Sequence, residues 1–350
     1  MLGKTFASIK FTVQSISVVL SVIINTLLIY LIITKSPKKM GTYRHLMIYF
    51  CCFSIFFSVL DILVQPNLHT YKSAFYMAME YRTRGFNREL AEILICAMCG
   101  CFGGAIYGIA IHFIYRYFAL ERKGRLRFFK ESYLIFWFAL HIIGSVSWFL
   151  ICYVLFSMDP VKSEYIRATT KEFFDVDIDD AVYAGPVFYH MDQNGVKYYN
   201  KKSFIGYGLF MLMMIIPFLV MLIFGWKSWK RIKELINSGE SKFTRNLQMQ
   251  LYKALVAQTL IPIVLLFIPF GIIFVCPIFE IPCQFMSAPI TFVYAVYPAV
   301  DPLPIFYFVD NYRNAVSDWI CPIVCRRNRV SVAPSSESRE EDSSRSQPIE

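Results

Sequence analysis

The first candidate for chemistry is an arginine between two tyrosines near the end of a long apolar stretch. Residues 112–118 read His-Phe-Ile-Tyr-Arg-Tyr-Phe, so Arg116 follows Tyr115 and precedes Tyr117. A guanidinium stays charged and carries five donors, and at the cytoplasmic end of a helix bundle it can bind the backbone carbonyls of a partner's helix. The alternative is an arginine that extends to the membrane interface beside aromatic-belt tyrosines.

The second candidate is an aspartate surrounded by prolines near the end of the last apolar stretch. Residues 297–307 read Tyr-Pro-Ala-Val-Asp-Pro-Leu-Pro-Ile-Phe-Tyr. Each proline removes a backbone donor, and an intramembrane carboxylate is costly unless it faces the interior and is paired. Asp301, Pro302 and Tyr307 are therefore candidate parts of a bent, hydrated segment that moves. The alternative is a static kink with a protonated or capped aspartate.

Other polar residues in or beside apolar stretches are candidates for structural or partner contacts. Asn25 is expected to make an interhelical hydrogen bond. Asp61 is expected in the outer third of its helix, where it either pairs with a neighbour or borders a ligand cavity. The basic residues Lys230, Arg231 and Lys253 flank a cytoplasmic connection and could contact a partner there.

The sequence contains few signs of catalysis. It lacks a phosphate-binding loop, a His-Glu-x-x-His motif, a Gly-x-Ser-x-Gly motif and clustered metal ligands. An enzyme is therefore the least favoured function, and no cofactor is expected. Cys321 and Cys325 precede basic residues and are candidate palmitoylation sites, with free cytosolic thiols as the alternative. A bridge between Cys276 and Cys283 is left open.

The composition indicates which solvent surrounds the elements that carry these residues. Apolar residues make up 56% of the 350 residues, and charged residues make up 17%, against about 25% in soluble domains. These values exclude a disordered chain, a soluble nucleic-acid-binding domain and a small disulfide scaffold. A soluble core of this length could not bury so much apolar surface, so the expected solvent is lipid.

Seven apolar stretches are long enough to cross about 30 Å of hydrocarbon as helices. They cover residues 11–33, 46–64, 90–118, 133–156, 204–224, 254–275 and 285–308. None alternates with the period of a membrane β-strand. The expected fold is therefore an all-α membrane protein, a bundle of seven transmembrane helices within a single domain at 1–325.

The distribution of Lys and Arg predicts the orientation. With the N-terminus outside, the cytoplasmic segments hold 23 basic residues and the outer segments hold 12. The apolar spacing in residues 310–320 predicts a short amphipathic helix on the inner leaflet. Residues 326–350 are polar and serine-rich, which is typical of a disordered cytoplasmic tail.

Four strings together resemble one receptor family. Gly-Thr-Tyr-Arg-His-Leu-Met at 41–47, the arginine motif at 112–118, Gln-Leu-Tyr-Lys-Ala-Leu-Val-Ala-Gln-Thr-Leu-Ile-Pro at 250–262 and Tyr-Pro-Ala-Val-Asp-Pro-Leu at 297–303 are similar to the nematode Str-type chemoreceptors. These are seven-transmembrane G-protein-coupled receptors, and they include the olfactory receptor for diacetyl. Against the rhodopsin-like pattern, Tyr115 replaces the usual acidic residue, so the resting contact of Arg116 must differ.

The resemblance implies a receptor for a small, apolar odorant in the ciliary plasma membrane of chemosensory neurons. Its implied partners are a heterotrimeric G protein, membrane lipid and, at the serine-rich tail, a receptor kinase and arrestin. Ligand binding would move helices five and six outward. From their depth in the spans, six residues are candidates for the ligand pocket: Met98, Phe102, Tyr207, Met211, Phe270 and Tyr294. A small-molecule transporter or channel is the alternative, although no internal repeat supports it.

Overall fold

The computed structural model describes residues 2–37, 40–121, 125–130, 132–191, 196–237 and 242–324. Its helices, in chain order, are α1 (Leu2–Lys35), α2 (Tyr43–Val64), α3 (Arg88–Glu121), α4 (Ser132–Leu155), α5 (Pro160–Phe174), α6 (Lys201–Asn237), α7 (Lys242–Pro262), α8 (Ile268–Val275), α9 (Ser287–Val300), α10 (Leu303–Phe308) and α11 (Asp310–Val324). A π-helical turn at Ile263–Phe267 joins α7 to α8. Within the described residues, six helices are long and apolar enough to cross a membrane, with α7 and α8 counted as one.

The seventh predicted span is divided into α9 and α10, and neither part is long enough to cross a membrane alone. The division falls at Asp301–Pro302, because Pro302 has no N–H with which to continue the helical hydrogen-bond pattern. We refer to α6 as helix five, to α7 and α8 as helix six, and to α9 and α10 as helix seven. The predicted tail at 326–350 lies outside the described residues.

The amphipathic segment after helix seven is helical and contacts the bundle. It lies within α11, which begins directly after α10. Tyr312 is fully buried, and its hydroxyl hydrogen-bonds Ser36 at 2.7 Å. Tyr312 and Ala315 belong to a cytoplasmic apolar cluster that also includes residues of α1, α2 and α3. This packing fixes the start of α11 against the C-terminal end of α1.

Helix α3 occupies the centre of the bundle, where it packs against α2, α4 and α6. Glycines on α3 permit its close approach to α4. A Cβ added at Gly103 would lie 2.3 Å from the Trp148 ring, and one at Gly100 would lie 2.8 Å from the Ser145 carbonyl oxygen. Small residues at such interfaces let backbones approach closely in a membrane. This contact determines where Trp148 lies.

An outer cap covers the end of the bundle that carries the N-terminus. It consists of α5 and an antiparallel sheet of β1 (Asn67–Tyr71), β2 (Ala74–Glu80) and β3 (Ala181–Ala184), in that order. Met77 of β2 faces Ala184 of β3 in the pairing register. A second hairpin pairs β4 (Tyr189–Met191) with β5 (Lys197–Tyr199). The hydropathy pattern predicts the helical bundle but gives no sign of these five short strands.

Hydrogen bonds between buried side chains attach α5 to the sheet of the outer cap. Tyr76 bonds Thr170 at 2.8 Å, and His69 Nε2 lies 3.0 Å from the Thr169 hydroxyl. The His69 ring also packs against Phe173 and Phe174. Because this environment is desolvated, burial lowers the pKa of His69 to about 4.

We expect the outer cap to loosen in acid because of His69. The folded-state pKa lies below the ordinary value of about 6.5. The neutral imidazole therefore stabilises the cap fully above pH 6.5, and this contribution is lost as the pH falls from 6.5 towards 4. When His69 is fully protonated, the free energy of unfolding of the cap has fallen by about 3 kcal/mol. The measurement of this loss is amide hydrogen exchange of β1 and α5, corrected for the intrinsic exchange rates at each pH.

His69→Gln should remove most of the difference in cap protection between pH 7 and pH 4.5. The matched control is His190→Gln, because His190 lies on β4 of the same outer surface and is only half-buried. An unchanged pH dependence in His69→Gln would contradict this role of His69.

Candidate functional site

The cytoplasmic end of α3 holds Arg116 in a closed pocket. The side chain is only 2% exposed. Its Nη1 donates to Gln248 Oε1 of helix six at 3.0 Å, and its guanidinium carbon lies 4.4 Å from the centre of the Tyr43 ring. The other two nitrogens, Nε and Nη2, are buried with no hydrogen-bond partner within the described part of the chain. The resting contacts are therefore an amide and an aromatic face.

The two tyrosines beside Arg116 have different surroundings. Tyr115 is buried, stacks on Tyr43 with ring centres 4.8 Å apart, and donates to the Met40 carbonyl at 3.4 Å. Tyr117 is half-buried and donates to Glu121 at 3.1 Å. Tyr115 therefore supports the Tyr43 ring that covers Arg116, whereas Tyr117 contacts a different group.

Three glutamines of α7 connect helix six to its neighbours. Gln248 accepts from Arg116 of α3, as described above. Gln250 donates to the Asp310 carboxylate and accepts from the Asp310 backbone N–H at 3.1 Å. Gln258 donates to the Asp301 carbonyl oxygen at 2.9 Å. Helix six is thus attached to α3, to α11 and to the break in helix seven by neutral hydrogen-bonding side chains.

A polar cavity lies beside the break in helix seven. Its volume is about 50 Å³, which is enough for a few water molecules. The polar side chains that line it come from five helices: Asn25, Ser54, His112, Gln258, Tyr297 and Asp301. Pro302 also lines it, and the Tyr297 hydroxyl lies 3.5 Å from the Asp301 carboxylate. Polar lining of this kind can hydrate the backbone groups that the prolines leave unpaired.

A second cavity lies nearer the outer surface, and eight of its fourteen described lining residues are aromatic. We call it the aromatic cavity. Its lining comes from α3, α4, α6, α8, α9 and the outer cap: Phe75, Met77, Cys99, Phe102, Trp148, Cys152, Phe156, Ala184, Gly185, Pro186, Phe210, Phe270, Phe274 and Tyr294. Phe102 contacts Phe270 with ring centres 4.9 Å apart. The Tyr294 hydroxyl donates to the Met98 carbonyl at 3.1 Å. Phe75, Met77 and Gly185 of the cap close the cavity from outside.

The six residues predicted for the pocket divide into three groups. Phe102, Phe270 and Tyr294 line the aromatic cavity, and Met98 contributes its backbone carbonyl behind it. Tyr207 packs at its edge, 6.5 Å from Phe274 between ring centres. Met211 is half-buried on α6 and is not among the lining residues. Sequence reasoning missed Trp148, Phe210 and the cap residues, because span depth does not give helix rotation or loop folding.

Comparison with known families identifies what kind of bundle this is. A family model described as "Serpentine type 7TM GPCR chemoreceptor Str" matches residues 10–317. The chain belongs to the Str family of serpentine chemoreceptors. It is therefore a multi-pass membrane protein of the G-protein-coupled receptor class, and the predicted family and helical bundle are confirmed.

Individual relatives of this Str chemoreceptor match along most of their length. "Serpentine receptor class r-10" of Caenorhabditis briggsae is 29% identical, with 92% of this chain and 93% of the relative covered. "G-protein coupled receptor str-217" of Caenorhabditis elegans is 30% identical, with 89% and 90% covered. The similarity thus covers the whole bundle.

In this Str chemoreceptor, Asp61 belongs to a polar cluster at the outer end of α2. It accepts from Gln14 at 3.0 Å and is not among the lining residues of the aromatic cavity. Nearby, Lys10 donates to the Gln65 carbonyl at 2.9 Å and to Asn67 at 2.5 Å. A cation at the C-terminus of a helix offsets the partial negative charge of the terminal carbonyls. Lys10 therefore stabilises the C-terminal end of α2.

The remaining predicted residues lie at the cytoplasmic end or next to helix seven. Asn25 donates to the Pro298 carbonyl of helix seven at 3.1 Å. Lys230 and Lys253 are exposed, and Arg231 pairs with Glu234 on its own helix. The Tyr307 ring is 67% exposed, so Tyr297 is the tyrosine beside Asp301.

The predicted cysteine chemistry is only partly within the described residues. Cys321 lies on α11, but its side chain is outside the described set, as is all of Cys325. Cys276 and Cys283 are both free thiols. The Cys283 thiol donates to the Thr70 hydroxyl at 3.7 Å, which joins the third outer loop to β1 of the cap without a disulfide.

Proposed function

We propose that this protein is a chemosensory receptor that binds a small, largely apolar odorant in the aromatic cavity and activates a heterotrimeric G protein. The single observation that carries the proposal is Arg116, a buried cation at the cytoplasmic end of the bundle with two nitrogens that have no hydrogen-bond partner among the described residues. Unpaired buried donors are costly. Movement of helices five and six would expose them to the carbonyls at the end of a Gα C-terminal helix.

The aromatic cavity and Arg116 are connected through helix six. Phe270 of α8 contacts Phe102 of α3 in the cavity, and Gln248 of α7 contacts Arg116 at the other end. The π-helical turn at Ile263–Phe267 lies between these contacts, and such turns are often found at functional sites. A ligand that binds better when Phe102 and Phe270 separate would favour the outward position of helix six.

The cytoplasmic opening would offer suitable charges to a G protein. Lys230 and Lys253 are exposed on helices five and six. Basic side chains favour the partial negative charge and the terminal carboxylate at the end of an incoming helix. These lysines therefore support the docking of Gα near Arg116.

The test is nucleotide exchange on Gα in membranes that carry the receptor, challenged with a panel of volatiles. We expect one volatile class to raise exchange. Gln248→Ala should raise ligand-free exchange about tenfold or more, because it removes a hydrogen bond to a charged group that holds helix six inward. Asn246→Ala is the matched control, since Asn246 is exposed on the same helix, and it should leave the basal rate unchanged.

Two results would contradict this proposal. Equal basal rates in Gln248→Ala and the unmodified receptor would remove Gln248 from the resting contact. The second result is that no volatile raises nucleotide exchange on any Gα class although surface expression is confirmed. If substrate flux is then detected in proteoliposomes, the transporter would be favoured instead.

The cellular setting belongs to the same proposal. We place the receptor in the ciliary membrane of chemosensory neurons, with palmitoylation at Cys321 and Cys325 and with kinase and arrestin acting on the serine-rich tail. Membership of a chemoreceptor family supports the setting. The basic residues after Cys325 support attachment to an anionic inner leaflet.

A further inference from the structure

One residue in the wall of the aromatic cavity carries a strong hydrogen-bond donor that has no partner among the described residues. Trp148 lines the cavity and is 2% exposed, and its indole N–H has no hydrogen-bond partner within the described part of the chain. Buried indole N–H groups usually find a partner. We propose that Trp148 recognises the ligand, and that the ligand is a neutral molecule with one carbonyl-type acceptor on an otherwise apolar body. This inference rests on the proposed receptor function.

The other polar groups of the cavity are already occupied. The Tyr294 hydroxyl donates its proton to the Met98 carbonyl. The thiols of Cys99 and Cys152 also line the cavity, and thiols are weak donors. Among the described lining residues, the Trp148 N–H is therefore the only strong side-chain donor available to a ligand.

The charge of the lining restricts the ligand to neutral molecules. No Asp, Glu, Lys or Arg occurs among the described residues that line the cavity. An ion placed there would lose its hydration without gaining a counter-ion, which is strongly unfavourable. A carbonyl oxygen needs only one donor and carries no net charge.

The walls of the cavity favour a small, flat body. Trp148 stacks on Phe210 with ring centres 4.2 Å apart, and Phe102 meets Trp148 edge to face at 5.6 Å. The cavity measures only about 30 Å³ as it stands. A ligand of several heavy atoms must therefore push the Trp148, Phe210 and Phe102 rings apart. Because Phe102 contacts Phe270 of helix six, this displacement would act on helix six.

The position of Trp148 is closely constrained by the backbone of α3. Gly103 lies against the indole so closely that a Cβ there would approach three ring atoms at 2.3, 2.4 and 2.7 Å. Trp148 is thus clamped between α3 on one side and Phe210 of α6 on the other. A donor fixed in this way loses little side-chain entropy when it binds an acceptor.

The experiment compares ketones with alkenes of nearly the same shape, in which C=CH₂ replaces C=O. The probes are cyclopentanone with methylenecyclopentane, and acetophenone with α-methylstyrene. Binding is measured by thermal stabilisation of the full-length receptor in nanodiscs, and signalling is measured in parallel by nucleotide exchange. The key variant replaces Trp148 with β-(3-benzothienyl)alanine, which exchanges the N–H for sulfur at nearly constant shape. Trp226→Phe is the control, because Trp226 is 72% exposed on α6.

We expect at least one ketone to bind about tenfold more tightly than its alkene, which corresponds to one hydrogen bond in a dry site. The benzothienyl variant should bind both members of the pair about equally, with alkene affinity unchanged. The indole ¹⁵N–H resonance that disappears in Trp148→Phe should move downfield with the ketone and not with the alkene. Trp226→Phe should keep the tenfold preference.

Three results would overturn the inference: no ketone of the panel binds, ketone and alkene bind equally to the unmodified receptor, or the preference survives in the benzothienyl receptor. Its failure is distinguishable from failure of the proposed function. Ketone binding that depends on the Trp148 N–H, without exchange on any Gα, would support the ligand class and contradict G-protein signalling.

Discussion

Arg116→Ala should reduce ligand-dependent nucleotide exchange by a factor of 100 or more at matched surface expression. In the proposed active state, the guanidinium donates at least two charge-assisted hydrogen bonds to the Gα C-terminal helix. Such bonds contribute about 1.5–3 kcal/mol each, so their combined loss exceeds 3 kcal/mol, which is more than a hundredfold. The measurement is the initial rate of nucleotide exchange on Gα with a saturating activating volatile.

The fold itself should tolerate Arg116→Ala. The substitution removes two buried nitrogens that have no partner within the described residues, and it costs one bond to Gln248 and the contact with Tyr43. The thermal midpoint and the binding of the volatile should therefore remain close to those of the unmodified receptor.

Arg116→Lys provides a graded control. Lysine keeps the charge but lacks the planar fork that donates to two acceptors at once, so exchange should fall by an intermediate factor, about tenfold. Full exchange in Arg116→Ala would remove Arg116 from the coupling mechanism, even if the protein remains a receptor.

Gly103→Ala should destabilise the receptor by about 1–3 kcal/mol, a penalty typical of an overpacked interior. The added Cβ would lie 2.3–2.7 Å from three atoms of the buried Trp148 ring. The indole is stacked on Phe210, so it can move away only by disturbing the wall of the aromatic cavity. We expect the thermal midpoint in detergent to fall by roughly 5 °C and the response to any activating volatile to weaken.

Gly208→Ala is the matched control for this substitution. Gly208 is exposed on α6, and an added Cβ there has nothing within 4 Å. Alanine also has the higher helix propensity, so the midpoint should stay constant or rise slightly. Equal midpoints for the two variants would show that the contact between α3 and α4 tolerates a methyl group at position 103.

Two of the positions singled out from the sequence lie inside the bundle for reasons that the sequence contains. Arg116 ends a long apolar stretch, and Asp301 lies between prolines inside another. Charge in lipid is so unfavourable that it must face the interior or the interface. The contacts themselves were not predictable, because Gln248 lies 132 residues from Arg116 and the link depends on how two helices are rotated.

The outer part of the molecule shows where prediction from hydropathy ends. The loop at 157–203 is too polar to cross a membrane, and nothing in its pattern predicts that β3 pairs with β2 from a connection about 100 residues earlier. Short strands bury too few residues for a periodic signal, and their pairing is decided by contacts distant in the chain. The residues that close the aromatic cavity from outside therefore appeared only in the folded protein.

The sequence by itself determined the solvent, the number of apolar spans, the family resemblance and the two polar positions at Arg116 and Asp301, because each depends on composition or on a short local pattern. Only the tertiary structure decided which aromatic residues meet in the cavity, that Tyr43 and Gln248 cover Arg116, and that the Trp148 N–H has no partner within the described residues. The physical reason is that the transfer free energy of a span is a sum over its own residues, whereas a pocket or a hydrogen bond depends on the relative rotation and depth of several helices.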